Sequence, residues 1–104
     1  MFRQSWYFAA DTRTEAEALD SAGAARLLAQ LPGVLRVEAC AIIGSATGAI
    51  TAGTVVEACF ESEDAMNAAF ASASGKDVSR SLMASGGRVL DILVAEVTTV
   101  APQG

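Results

Sequence analysis

Val55-Val56-Glu57-Ala58-Cys59-Phe60-Glu61-Ser62-Glu63-Asp64-Ala65-Met66 reads as a strand that runs directly into a helix. Val56, Ala58 and Phe60 fall on one side of the strand and Glu57 and Cys59 on the other, the period-two pattern of a half-buried β-strand. Ser62 then supplies a hydroxyl that caps the first turn of a helix, and Glu63 and Asp64 place negative charge at its positive end. The strand is predicted over residues 54–61.

Working upstream, Leu31-Pro32-Gly33-Val34 closes one helix and opens another strand. Thr14 with Glu17 makes a capping box, Leu19, Gly23, Leu27 and Leu31 recur at helical spacing, and Pro32-Gly33 cannot continue the helix. Over residues 34–43, Arg36, Glu38 and Cys40 alternate with Leu35, Val37, Ala39 and Ala41, which predicts a strand with one apolar and one charged face. Residues 44–53 are small and uncharged and read as the connecting hairpin loop. Residues 2–10 form a first strand, with Phe2, Trp6 and Phe8 on one face and Arg3, Ser5 and Tyr7 on the other.

Downstream, the second helix is predicted to run to about Ser74, burying residues drawn from Ala65, Met66, Ala69, Phe70 and Ala73, with Ser74-Gly75 as its stop. Asp77 is expected to cap a shorter helix over residues 78–84, and Gly86-Gly87 precedes a last strand over residues 88–100. Val89, Leu90, Ile92, Leu93 and Val94 in that strand predict burial on both of its faces.

The order strand, helix, strand, strand, helix, strand is the ferredoxin-like βαββαβ arrangement, an α+β fold whose four-stranded antiparallel sheet carries its helices on one face. No repeat or linker interrupts residues 1–104, which are expected to form one domain. The uncovered face, with Tyr7, Cys40, Cys59, Leu90, Ile92 and Val94 assigned to it, is too apolar to remain in water and predicts a homodimer through a second sheet.

Composition narrows the function. With 104 residues and 52% hydrophobic content the chain can build one modest core. A net charge of -5 with only seven scattered basic residues gives no footprint for nucleic acid. Cys40 and Cys59 lack CxxC spacing, so neither a disulfide framework nor a metal site is expected, and the chain reads as cytoplasmic. Residues 39–56 contain no charged residue, and Gly44 and Gly48 sit at GxxxG spacing. Their glycines and threonines favour a hairpin over a membrane helix, so no membrane partner is expected.

Taken in order, Leu31-Pro32-Gly33-Val34, then Glu57-Ala58-Cys59-Phe60-Glu61-Ser62, then Asp64-Ala65, the chain resembles the EthD family of dimeric α+β barrels, best over residues 34–97. The resemblance implies a homodimer of face-to-face sheets, a cavity between sheet and helices in each subunit, and action on small hydrophobic compounds in cofactor-independent oxidative or degradative metabolism. The family pattern carries a histidine late in the first helix, where this chain has Gly23-Ala24-Ala25. There is no histidine anywhere in the sequence, so none can serve as a base or haem ligand. Pro32-Gly33-Val34-Leu35 also looks like the ligand-loop signature of ACT domains, but that signature precedes the first helix and here it follows it.

For chemistry, Arg36, Glu38, Cys40, Glu57 and Cys59 should share one face of the central hairpin, joined by Arg3 and Tyr7. Two registers are open: Cys40 opposite Glu57 with Arg36 opposite Glu61, or Cys40 opposite Cys59 with Glu38 opposite Glu61. Glu57, Glu38 and Tyr7 are the candidate catalytic groups, the carboxylates as proton acceptors, against the plainer reading in which Glu38 and Glu57 pair with Arg36 and Arg3 across the dimer. The cysteines have no histidine to activate them and are expected to be packing residues. Trp6, Phe60, Phe70 and Met83 are the candidate ligand-binding wall, against the alternative that they fill the core. No cofactor is implied. Two functions follow: an EthD-like protein that binds or transforms a small hydrophobic compound, or a non-catalytic homodimeric binding or accessory module.

Overall fold

A computed structural model describes residues 1–9, 21–48, 52–84 and 89–103. The elements are β1 (Phe2–Ala9), α1 (Ser21–Leu28), β2 (Arg36–Ala41), β3 (Ala52–Phe60), α2 (Glu63–Ala71), α3 (Ala73–Ala84) and β4 (Val89–Glu96). The strands form one antiparallel sheet in the order β2-β3-β1-β4, so the ferredoxin-like α+β fold stands as read from the sequence. The capping box at Thr14 and Glu17 lies outside the described residues.

Helix α1 ends by tightening. Gln30 N–H donates to the Leu27 carbonyl and Leu31 N–H to the Leu28 carbonyl, both at 3.1 Å, the three-residue spacing that closes a last turn. Gly33 then takes φ +79°, a conformation that a side chain resists. Strand β2 is shorter than its sequence pattern, although Leu35 N–H to the Cys59 carbonyl (2.8 Å) and Ile42 N–H to the Gly53 carbonyl (3.0 Å) extend its bonding on both sides.

The junction between α2 and α3 departs from expectation. Helix α2 starts as predicted, with Ser62 Oγ accepting from Ala65 N–H at 3.1 Å. It stops at Ser72, and α3 begins at once, placing Ser74, Gly75 and Asp77 inside a helix rather than at a stop and a cap. Ser72 serves both ends: its backbone N–H donates to the Ala68 carbonyl at 3.2 Å, while its Oγ accepts from Gly75 N–H at 3.0 Å. Gly75 is buried, and a Cβ there would collide with the Ala69 carbonyl oxygen and lie 2.7 Å from Phe70 Cα. The glycine permits close approach, a role that sequence cannot distinguish from helix breaking.

Helices and sheet enclose Trp6, Phe8, Ala24, Leu28, Leu31, Val56, Ala58, Phe60, Met66, Ala69, Val78 and Leu82. Phe60, Leu28, Leu82 and Val56 are fully buried, and at about 1.5–3 kcal/mol per buried large apolar side chain this cluster supplies the main favourable term. Burial of β4 on both faces is not observed. Leu90, Ile92, Leu93 and Val94 stay 36–53% exposed, since β4 is an edge strand beside β1 while α1 and α2 lie over β2 and β3.

Candidate functional site

The two sheet faces sort the candidate residues. Trp6 stands opposite Val56, and Phe2 opposite Phe60, on the helix side; Ser5 stands opposite Glu57, and Tyr7 opposite Val55, on the face without helices. Because directly opposed residues share a face, the ligand-wall candidates Trp6 and Phe60 and the candidate acid-base residues Tyr7 and Glu57 lie on opposite sides of the sheet.

On the open face the ladders build a grid. One row reads Arg36, Cys59, Arg3, Ala95; the next reads Glu38, Glu57, Ser5, Leu93; the third reads Cys40, Val55, Tyr7, Asp91. All three candidate acid-base residues therefore share this face, as alternation predicts. The hairpin register is neither of the two expected, because Glu38 faces Glu57 and Cys40 faces Val55. Like charges directly opposite destabilise a sheet, and here each acquires an arginine. Arg3 Nε lies 2.7 Å from Glu57 Oε2 and Arg36 Nε lies 3.0 Å from Glu38 Oε1. Ser5 Oγ donates to Glu57 Oε2 at 3.3 Å from a position that is almost fully buried.

The two ion pairs differ in character. Arg36 and Glu38 are both more than half exposed, whereas the Glu57 side chain is only 21% exposed. Arg3 Nε is buried and close to the carboxylate but lacks the alignment of a hydrogen bond, so its hold on Glu57 is Coulombic. Glu57 is thus the most constrained ionisable group on this face, oriented by a neighbouring charge and a hydroxyl.

The reassigned face of β4 is a correction. Ile92 stands opposite Trp6 and Val94 opposite Gln4, on the helix side, while Leu93 and Asp91 stand opposite Ser5 and Tyr7 on the open face. A register irregularity between Tyr7 and Phe8 takes Leu90 out of the ladder. Counting residues along β4 could not reveal this, since both of its faces are apolar in sequence.

On the helix side, Trp6 is 2% exposed, and its indole N–H donates to Gln4 Oε1 at 2.6 Å. Phe60 packs obliquely on Phe70, with ring centroids 6.1 Å apart, and Met83 is 54% exposed on α3. A shallow cleft of about 120 Å³ between α1 and α3 is lined by Leu27, Gln30, Ser74, Asp77, Val78 and Ser81. None of the candidate residues lines that cleft. No cluster among the described residues carries three or more metal-ligating side chains, and no described helix is long and apolar enough to cross a membrane.

The architecture defines a ferredoxin-like domain with one helix-free sheet face. An EthD family protein from Bacillus halodurans is similar to it at TM-score 0.80 and 17% identity, over 94% of this chain and 99% of that one. A hydroxynitrile lyase from Passiflora edulis is similar at TM-score 0.71 and 12% identity, over 97% and 95% of the two chains. A dimeric ferredoxin-like protein of unknown function from Thermobifida fusca is similar at TM-score 0.60 and 21% identity, over 90% and 86%. No protein-family model and no curated protein matches the sequence. The EthD resemblance carried by the sequence motifs thus has its counterpart in the fold.

Proposed function

We propose that this chain acts as a homodimeric α+β barrel that binds a small, largely apolar molecule, with Glu57 orienting the molecule's polar group. The observation that carries this reading is Glu57 itself, held by Arg3 and Ser5 on a helix-free face, with Val55 beside it along β3 and Tyr7 and Leu93 further across the same face. A carboxylate already fixed by a cation and a hydroxyl, on a face that also carries Val55, Tyr7 and Leu93, accepts a hydrogen bond from a hydroxyl or amine at low ordering cost, and a second copy over the face would exclude competing water. Structural likeness to a dimeric protein and to a hydroxynitrile lyase supports a small-molecule function for a dimer of this fold. Proton transfer by Glu57 with Tyr7, in cofactor-independent degradative or oxidative chemistry, is the catalytic extension of the same arrangement.

A second reading is a non-catalytic accessory module. It draws on the near-complete burial of Trp6 and Phe60, which makes the helix-side aromatics core, and on the ion pairs that already occupy Glu57 and Glu38. A ligand seated on the helix side would instead meet Trp6, Phe60 and Phe70, with Met83 at its margin.

Titration with 2-naphthol, an apolar ring bearing one hydroxyl donor, tests these readings. Saturable binding that weakens at least tenfold in Glu57→Leu, with Trp6 emission unchanged, is expected. Binding that quenches Trp6 and survives Glu57→Leu would move the site to the helix side. If 2-naphthol does not saturate, and native mass spectrometry of protein from its own host finds no retained small molecule, the accessory reading replaces the binding one.

A further inference from the structure

We infer that a second copy of this chain covers β4 on both faces, clasping the strand instead of meeting the sheet on its open side alone. This rests on the homodimer proposed above and adds a surface that a flat sheet-to-sheet contact would leave in water.

The strand is unusual for an edge. Leu90, Leu93 and Val94 are 48–53% exposed and Ile92 is 36% exposed, and these side chains do not share a side. Leu93 belongs to the open face with Ser5, whereas Ile92 and Val94 belong to the helix side with Trp6 and Gln4. Edge strands ordinarily carry charge or proline against association. Between Val89 and Ala95 the only charged residue is Asp91, and its carboxylate accepts the Ile92 N–H at 2.8 Å. A strand adding to this edge would find that donor taken, so side-chain packing over the faces, rather than strand addition, suits the surface.

Three observations select a second copy as the cover. The strip is continuous through Leu93 with the open face. Four half-exposed aliphatic residues fall well short of the roughly 800 Å² per partner that a stable interface buries, so the strip needs that larger face beside it. Charge points the same way: Arg3 and Arg36 offset Glu57 and Glu38 on the open face and leave Asp91 as the one unpaired charge of its ladder rows, while the chain as a whole carries -5. Two copies therefore approach with least repulsion on this side.

Sedimentation equilibrium of the full chain and of Leu93→Asp, Val94→Asp and Ile43→Asp separates the possibilities, with circular-dichroism melts confirming the fold. Ile43, 99% exposed beyond β2, is the control. The clasp predicts that Leu93→Asp and Val94→Asp each weaken the dimer at least a hundredfold and that Ile43→Asp changes it less than threefold. A dimer that Leu93→Asp dissociates but Val94→Asp leaves intact overturns the clasp and keeps the homodimer; a monomeric wild-type chain overturns both. Should Val94→Asp unfold, methyl NMR of the wild-type chain with a soluble paramagnetic probe decides: shielding of Ile92 and Val94 methyls equal to that of Leu93 is expected, and strong broadening of the helix-side methyls alone overturns the clasp.

Discussion

Glu38 on β2 and Glu57 on β3 stand directly opposite each other, and each is neutralised by a different arginine, Arg36 at 3.0 Å and Arg3 at 2.7 Å. The two arginines flank Cys59, which faces Arg36 on one side and Arg3 on the other. An unfavourable carboxylate pair is thereby accommodated by cations in the adjacent row of the same face, two residues along the strands.

The Arg3–Glu57 contact is expected to be modest in the protomer. With Arg3 43% and Glu57 21% exposed, a double-mutant cycle of Arg3→Met and Glu57→Gln in urea should give a coupling of about 0.5–1 kcal/mol at low salt. Raising salt should shrink it. A coupling of zero at low salt would mean that the register, not the ion pair, holds Glu57.

Gly75→Ala should destabilise the fold by about 2 kcal/mol or more, because its methyl group meets backbone atoms of Ala69 and Phe70 that have no rotamer to yield. Ser81→Ala, exposed on the same helix, should stay within about 0.5 kcal/mol of wild type. Urea midpoints measure both. A neutral or stabilising Gly75→Ala would show that α2 and α3 separate at little cost.

Ser72→Ala should cost more than Ser62→Ala, whose loss of one cap is worth about 1 kcal/mol. Among the described residues Ser62 Oγ accepts from Ala65 N–H, whereas Ser72 Oγ accepts from Gly75 N–H and also donates to the Ala69 carbonyl at 2.6 Å. Thermal melts of the two variants, compared at equal concentration, give the order directly.

Much of the fold was legible because strong local signals agreed with the tertiary structure. Alternation in β1 and β3 assigned Trp6, Phe8, Val56, Ala58 and Phe60 to one face and Arg3, Ser5, Tyr7 and Glu57 to the other, and burial of a single face enforces that choice. Pro32-Gly33 and Ser62 marked helix ends whose capping chemistry is local. What escaped was non-local. The β2–β3 register places Glu38 against Glu57 because arginines from β1 and β2 converge there, which no two-strand argument includes. Gly75 has the sequence signature of a helix breaker, since its purpose, contact with α2, exists only once the helices pack. In β4 apolar residues occupy both faces, so alternation carried no information, and burial was inferred where the protomer leaves the strand bare.

The two thiols should react separately. Cys40 is exposed and Cys59 is 3% exposed, and the register sets Cys40 opposite Val55 and Cys59 opposite Arg36. Four ladder steps at about 3.3 Å each separate them by roughly 13 Å along the strands, beyond the ~7 Å between Cα atoms that a disulfide spans. A bridge within one protomer would require β2 to slide by several residues, which would break the Arg36–Glu38 pair and turn the sheet's buried alternation against the core if the slip were odd. Ellman titration of the protein diluted to its protomer should give one fast equivalent, from Cys40, and a second only as the protein opens; denaturation should release both at once. Cys40→Ser should remove the fast phase and leave the melting temperature nearly unchanged. An intact mass two protons short, or two native thiols reacting at the same fast rate, would refute the register or the burial of Cys59 on which the open-face grid depends.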